Sequence, residues 1–191
     1  VTVFSFVEAA MKITVGKAER ECLRRLLEIA KAEDLADGDV TGRLVPEKAT
    51  ARAMFVAREE LVFCGGALLG DIAAAYHDGI ETDVLRGEGE RIEAGAVLAT
   101  WEGPARAILA AERVALNFLQ RLSGIATLTR AYADAVASTA AEIHDTRKTA
   151  PGWRALEKYA VRAGGGRNHR MGLYDAVLVK DNHLALLGRA A

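Results

Sequence analysis

The stretch HDTRKTAPGWRALEKYAVRAGGGRNHRMGLYDAVLVKDNH, residues 144–183, combines a high density of cations with an alternating order of secondary-structure signals. It contains eight Lys or Arg and four carboxylates, a local charge of +4 in a chain whose net charge is −1. A strand signal, EIHDT, precedes the helical segment GWRALEKYAVRA, and a glycine-rich loop leads to a second strand signal, DAVLVKD. This order predicts the beginning of a parallel α/β sheet or barrel.

Polar side chains follow both predicted strands. The first strand is followed by Asp145, Thr146, Arg147 and Lys148, and the second by Lys180, Asp181, Asn182 and His183. Because the carboxyl ends of parallel strands lie at one edge of a sheet, we expect both groups to face one pocket, with His169 and Arg170 of the loop at its mouth. Arg matches carboxylate or phosphate oxygens in a bidentate way and Lys acts as a point charge, so the pattern predicts a site for a multiply anionic small molecule.

Other polar residues of the window have plainer interpretations. Arg154, Lys158 and Arg162 are spaced i, i+4, i+8 beside Glu157, which favours a solvated helix face. The glycines at 164–166 fit a helix C-cap and a phosphate-binding loop equally well, because GGG has neither the GxGxxG nor the P-loop spacing.

Composition alone does not assign a catalytic role to the histidines. Isolated histidines are more often structural than catalytic, and three of the four in this chain fall inside the window. A structural role is therefore the favoured interpretation of His144 and His183 within it and of His77 outside it.

The rest of the chain predicts a small α+β layer and two further helices. Leu23, Leu26, Leu27 and Ala30 have helical spacing within 17–34. Short β-type runs then alternate with glycines, with one helix-like insert, GALLGDIAAAY. Pro104 suits the first turn of a helix reaching Leu122, and SGIATLTRAYADAVAST supplies another. We therefore predict two domains, 1–122 and 123–191.

Composition excludes several classes of protein. With 51% hydrophobic and 27% charged residues the chain can bury a sizeable core. A net charge of −1 provides no global attraction to nucleic acid or anionic membranes, and no apolar run is long enough to span a bilayer. The N-terminal VTVFSFVEAAMKI lacks a basic region, which argues against a secretory signal. Two cysteines without metal-binding spacing favour a reduced, cytoplasmic setting.

The motifs, taken together, resemble a known family. The window, with ERVALNFLQRLSGIAT at 112–127 and AEDLADGDVTGRLVP at 32–46, closely resembles quinolinate phosphoribosyltransferase, also called carboxylating nicotinate-nucleotide pyrophosphorylase. The resemblance implies an N-terminal α/β sandwich followed by an open α/β barrel, in homodimers or higher oligomers whose sandwich caps the partner's barrel. It also implies a step of NAD biosynthesis, in which quinolinate and phosphoribosyl pyrophosphate react with Mg²⁺ to give nicotinate mononucleotide, pyrophosphate and CO₂.

The resemblance also implies roles for individual residues. Arg147, and Arg170 with His169, would hold the quinolinate carboxylates, with Thr146 nearby. Lys148 and Lys180 would reach carboxylate or phosphate oxygens and are the expected catalytic residues. Arg113 would reach into the partner's site. Mg²⁺ would come with phosphoribosyl pyrophosphate, and its protein ligands are expected on later barrel strands, so no metal ligand is predicted among these residues.

Departures from the family pattern leave alternatives open. TAPG replaces the commoner TTPG at Ala150, and the chain runs from Val1 to a point shortly after the second predicted barrel strand. We therefore expect a fragment with an incomplete barrel, an open apolar edge, marginal stability and no phosphoribosyl transfer of its own. The alternatives are a catalytically silent fragment or an anion-binding module, and the molybdenum-associated paralogue of the same fold. That paralogue departs at NHR and KDNH, which are both intact here.

Overall fold

The computed structural model describes residues 13–187. The prediction for the segment VTVFSFVEAAMKI falls almost entirely outside these residues. Five α-helices are present in the described part: α1 (Lys17–Leu35), α2 (Leu69–Tyr76), α3 (Ala105–Val136), α4 (Arg154–Ala163) and α5 (Asp181–Leu186). Five strands accompany them: β1 (Thr50–Val56), β2 (Leu61–Val62), β3 (Glu81–Val84), β4 (Arg91–Ile92) and β5 (Val97–Pro104).

The strands form two antiparallel sheets in the first part of the chain. β5 lies between β1 and β3, with Trp101 opposite Ala53 on one side and Thr82 on the other. Leu98 to Trp101 are buried without interruption, as expected for a central strand covered on both faces. β2 and β4 form a separate two-stranded ribbon. The predicted α+β layer is therefore confirmed.

Helix α3 runs without a break through the predicted domain boundary. We predicted two helices that meet near Leu122, but the structure has one helix of 32 residues. A glycine inside a helix costs about 1 kcal/mol relative to Ala, and Gly124 is the local reason to expect a break. Leu122 and Ala126 on either side of it are fully buried. Burial of this apolar face outweighs the glycine penalty, so the helix continues.

Helix α4 lies against α3 and α1 and ends at the glycine run. Leu156, Tyr159 and Ala163 are buried in the common core. Gly164 is the C-cap of the helix, and Gly165 follows with a φ of 91°, a conformation that favours glycine. Of the two open interpretations of GGG, the structure confirms the helix C-cap.

Neither strand predicted in the basic window forms. The first is reduced to one isolated parallel bridge between His144 and Arg167, and 176–180 pair with no other strand among the described residues. A strand is stabilised by ladder hydrogen bonds to a neighbour, and an apolar run alone does not supply them. The side chain of Val177 is accordingly 92% exposed. The prediction of two barrel strands is therefore wrong within residues 13–187, although the helix predicted between them forms as α4.

The end of the second predicted strand is helical instead. Asp181–Leu186 form α5, and the backbone N–H of Lys180 donates to Nδ1 of His183 at 3.0 Å. Within 13–187, no helix combines the length and the apolar character that a bilayer crossing requires.

Candidate anion-binding site

A cavity of about 240 Å³ lies between the segment that follows His144 and the loop after the glycine run. Its lining residues are Asp145, Thr146, Arg147, Lys148, His169, Arg170, Leu178 and Lys180. The structure thus brings together the predicted substrate-binding residues except Arg113. Asp181, Asn182 and His183, which were expected to face the same pocket, do not line it. The convergence does not require the two predicted strands, because the His144–Arg167 bridge already places the two segments side by side.

The charge of this cavity is strongly positive. Four cations, Arg147, Lys148, Arg170 and Lys180, line it together with one carboxylate, Asp145. That carboxylate is already compensated, because it forms an ion pair with Lys158. Within residues 13–187, none of the four cations forms an ion pair. A group of unpaired cations at a cavity wall is most favourable when an anion occupies the cavity.

Arg147 provides the clearest sign of a missing partner. Its Nε is buried, yet no atom of the described chain accepts a hydrogen bond from it. An unsatisfied buried donor costs about 1–3 kcal/mol, and charged groups cost more. Next to it, Thr146 Oγ1 accepts the backbone N–H of Lys148 at 3.0 Å, which fixes the turn that carries Lys148. An anion bound beside Arg147 would satisfy the buried donor.

The prediction that Arg154, Lys158 and Arg162 of α4 lie on a solvated face was wrong. The Lys158 side chain is 1% exposed and forms its ion pair with Asp145. Arg162 pairs with Glu19 of α1 at 2.8 Å, and Arg154 donates to the carbonyl oxygen of Met171 at 3.1 Å. The i, i+4, i+8 spacing places the three on one face, but tertiary neighbours from other segments cover that face. One signal in the sequence pointed to partners from other segments, because Glu157, the single acid of this helix, could not pair with three cations.

A larger cavity of about 560 Å³ adjoins the first. The two share Asp145, Thr146 and Lys148 as lining residues. Its other walls come from α3, from α4 and from the segment that precedes α4. These walls are lined by Gln120, Arg121, Gly124, Ile125, Leu128, Thr149, Ala150, Glu157, Lys158 and Val161. Arg121 stacks over the ring of Trp153 at 5.0 Å and pairs with Glu157, whose carboxylate also accepts the backbone N–H of Ala150 at 3.2 Å.

Arg113 lies outside both cavities. It is exposed on α3 and lines neither of them. Its expected role requires a second subunit and stays a prediction. His144 also lines neither cavity; it lies 3.4 Å from Glu142 at the surface.

Asp175 fixes the turn that follows Arg170. The backbone N–H groups of Met171 and Gly172 donate to its carboxylate, at 2.5 and 3.0 Å. These hydrogen bonds favour the charged form and lower the pKa of Asp175 below its ordinary value. Arg170 is held from the other side, since its guanidinium donates to the carbonyl oxygen of Ala176 at 2.9 Å.

The described residues do not form a metal site. Within 13–187, no group of three His, Cys, Asp or Glu side chains could hold a metal ion. Asp145, the one acid of the smaller cavity, already accepts from Lys158, Asn168 and His169. The donor set available here therefore does not fit Mg²⁺.

Two family models match the chain and together account for most of it. The N-terminal domain of quinolinate phosphoribosyl transferase matches residues 39–123, and its C-terminal domain matches 125–191. The chain belongs to the quinolinate phosphoribosyltransferase family. The two matches meet inside α3, and the cavity lies within the second.

Individual members of the quinolinate phosphoribosyltransferase family show the same similarity. The chain is 43% identical to a probable nicotinate-nucleotide pyrophosphorylase [carboxylating] of Bacillus subtilis over 87% of its own length and 57% of the relative's. It is 44% identical to quinolinate phosphoribosyltransferase [decarboxylating] 1b of Nicotiana tabacum, over 87% and 47%. The chain therefore spans about half the length of these relatives.

Solved structures of the family have the same fold. The structure of the nicotinate-nucleotide pyrophosphorylase from Francisella tularensis superposes with a TM-score of 0.85 at 36% identity, over 93% of this chain and 63% of that one. NadC from Streptococcus pyogenes gives 0.83 at 37% identity, over 87% and 59%.

Proposed function

We propose that this chain carries the dicarboxylate-binding part of an enzyme that transfers phosphoribosyl from phosphoribosyl pyrophosphate to quinolinate. The products would be nicotinate mononucleotide, pyrophosphate and CO₂. One observation carries the proposal: four cations line a single small cavity whose only carboxylate is already paired with Lys158. The named relatives, which share 43–44% of the aligned residues, support the choice of reaction.

The cavity suits one small ring with two carboxylates. Drug-sized ligand sites commonly have volumes of about 300–1,000 Å³, so about 240 Å³ leaves room for a pyridine ring and excludes a phosphorylated sugar beside it. Arg147, and Arg170 with His169, would bind the carboxylates, with Thr146 beside them. Two carboxylates offset only part of the charge, which leaves Lys148 and Lys180 for phosphate oxygens.

The larger cavity is the natural place for phosphoribosyl pyrophosphate. It shares Lys148 and Thr146 with the smaller one, so a sugar in it would lie next to the pyridine ring. Binding two reactants in adjoining cavities supplies the orientation that a bimolecular reaction otherwise lacks. The lysines would stabilise negative charge as pyrophosphate leaves. Once the ring nitrogen is bonded to the sugar it is positively charged, and this charge would stabilise the carbanion left on the neighbouring ring carbon when CO₂ departs. A proton from solvent would then take the place of the lost carboxylate.

Further features belong to the same proposal. Mg²⁺ would enter bound to the phosphates of its substrate, since residues 13–187 supply no fitting ligand set. An open α/β barrel and a homodimer in which Arg113 reaches the partner's site follow the family pattern. Cys22 and Cys64 are both buried and unpaired, which supports a cytoplasmic setting.

Calorimetric titration with quinolinate and with phosphoribosyl pyrophosphate tests the proposal, followed by an assay of nicotinate mononucleotide formation with Mg²⁺. We expect quinolinate to bind, and Arg147→Ala to weaken binding. Arg91→Ala, which alters an exposed ion pair with Asp134, is the control and should bind normally. A chain that binds neither ligand would be a catalytically silent fragment. Binding without turnover would favour the anion-binding module.

A further inference from the structure

A buried polar network connects the two segments that carry the cations of the site. The Lys158 ammonium contacts Asp145 and donates to the carbonyl oxygen of His169 at 2.9 Å. Asn168 donates through its side-chain amide to Asp145 at 2.6 Å and to the carbonyl oxygen of Lys158 at 2.8 Å. The backbone N–H of His169 donates to Asp145 at 2.8 Å. Three segments that are separate in sequence therefore meet at one carboxylate.

The network lies directly behind the binding residues. Asp145 precedes Arg147 by two positions, and Asn168 precedes Arg170 by two. Lys158 belongs to neither segment but to α4, which is packed into the core. Lys158 of the rigid helix α4 therefore contacts both segments that carry an arginine, and it fixes the distance between them more firmly than contacts between two loops would.

The remaining polar atoms of the network are also satisfied. The oxygen of the Asn168 side chain accepts from Arg162 at 2.8 Å, and Arg162 in turn pairs with Glu19 of α1 at 2.8 Å. The side chains of Lys158 and Asp145 are 1% and 7% exposed. A fully satisfied buried network rigidifies the groups that it joins.

Stability alone is a weak explanation for this pair. Replacing a buried ion pair by neutral side chains of similar volume is often neutral or stabilising, because desolvation cancels much of the attraction. Geometry is the stronger explanation, since the pair has ligand-binding residues on both sides.

We propose that Asp145, Lys158 and Asn168 are positioning residues that hold Arg147 and Arg170 at the separation of two carboxylates on one ring. The site would thereby select dicarboxylates over monocarboxylates. This inference rests on the proposed function, because it concerns the same cavity. It assigns the selectivity to residues that do not themselves bind the ligand.

The test is a double variant, Asp145→Asn/Lys158→Met, which removes both charges and nearly preserves volume. Affinities for quinolinate and for nicotinate, which has one carboxylate, are measured by calorimetry. A small misplacement of binding groups can cost about 10²-fold, so we expect quinolinate affinity to fall by about 10- to 100-fold and nicotinate affinity by less than about threefold. The ratio of the two affinities is the decisive readout, because general destabilisation would not change it selectively.

Two further variants guard against misfolding and nonspecific effects. Asn168→Ala keeps the ion pair and removes the amide link, and it should lower the same ratio by a smaller factor. Arg20→Met/Asp71→Asn removes an exposed ion pair between α1 and α2 and should leave the ratio unchanged. An unchanged ratio in both Asp145→Asn/Lys158→Met and Asn168→Ala would overturn the inference.

Amide hydrogen exchange separates this inference from the proposed function. If wild-type protein binds no quinolinate, the proposed function fails, and exchange at 145–148 and 168–170 then decides whether the network orders these segments. We expect faster exchange there in Asp145→Asn/Lys158→Met and no change in Arg20→Met/Asp71→Asn. Equal exchange in wild-type and Asp145→Asn/Lys158→Met would overturn the inference without any ligand.

Discussion

Lys158 lies inside the protein with its ammonium between the Asp145 carboxylate and the carbonyl oxygen of His169. Removing one partner of such a pair leaves an uncompensated charge in a low-dielectric environment. Removing both partners leaves no buried charge without compensation. The two residues therefore form one energetic unit, although 12 other residues separate them in sequence.

Lys158→Met alone should lower the free energy of unfolding by about 3–5 kcal/mol, because it leaves the Asp145 charge buried without its partner. Asp145→Asn/Lys158→Met should be clearly more stable than Lys158→Met. Urea unfolding of wild-type protein, both single variants and the double variant measures the coupling. Additive single effects would show that the two side chains do not interact.

Arg147 differs from Lys158 because part of its charged group has no partner. Arg147→Ala should lower kcat/KM for quinolinate by about 10²- to 10³-fold in an active form of the enzyme, the effect of removing one preorganised charge-stabilising donor. The free energy of unfolding should not fall, because no ion pair is lost and an unsatisfied buried donor is removed. Steady-state kinetics beside Arg91→Ala measure this, and an unchanged kcat/KM would remove Arg147 from the site.

Helices α3 and α4 meet at the glycine that ends α4. A Cβ built on Gly164 would lie 2.5 Å from the carbonyl oxygen of Ala126 and 2.5 Å from Cβ of Thr129. The φ of Gly164 is −73°, which any residue adopts, so the requirement for glycine is one of space. This contact sets how closely α4, and with it Lys158, approaches α3.

Gly164→Ala should lower the free energy of unfolding by about 1–3 kcal/mol, the usual cost of overpacking. Gly124→Ala in α3 is the matched control, since a Cβ there would meet no atom within 4 Å. That change should be neutral or stabilise the protein by up to about 1 kcal/mol. Thermal unfolding compares the two. Equal destabilisation would mean that helix–helix distance is not the cause.

The first part of the chain and α4 share a buried interface at Cys64 and Tyr159, both of which are fully buried. Burial raises the pKa of the Cys64 thiol and that of the Tyr159 hydroxyl, and the negative charge of Glu88 acts in the same direction. Both groups are therefore neutral in the folded protein. In the unfolded chain they ionise near their ordinary pKa values of 9.0 and 10.0.

The sign of the pH effect follows from these directions. A group whose pKa is raised by folding contributes stability that is present below the unfolded pKa and is lost at higher pH. The free energy of unfolding should therefore decrease as the pH rises above about 9. Cys64→Ala should flatten the decrease between pH 9 and 10, and Tyr159→Phe the part above 10. Urea unfolding from pH 7 to 10.5 checks this, and identical slopes in all three proteins would contradict it.

Signals that are local in sequence predicted much of the molecule. Helical periodicity predicted α1, and the glycine-separated β-type runs predicted the α+β layer. The motifs of the basic window identified the family and the residues that meet at the cavity. These features could be predicted because each depends on residues close together in the chain or on a motif long enough to be specific.

Other features depend on partners that sequence spacing does not reveal. The predicted barrel strands do not form among the described residues because a strand requires a neighbour. Gly124 does not interrupt α3, since the packing of residues around it outweighs its local preference. Lys158 is buried because Asp145 and His169 reach it, and Arg162 finds Glu19 across 143 positions. A charge is stable inside a protein only where the fold supplies its counter-charge. Here α1 supplies it for Arg162, and the segment before α4 supplies it for Lys158.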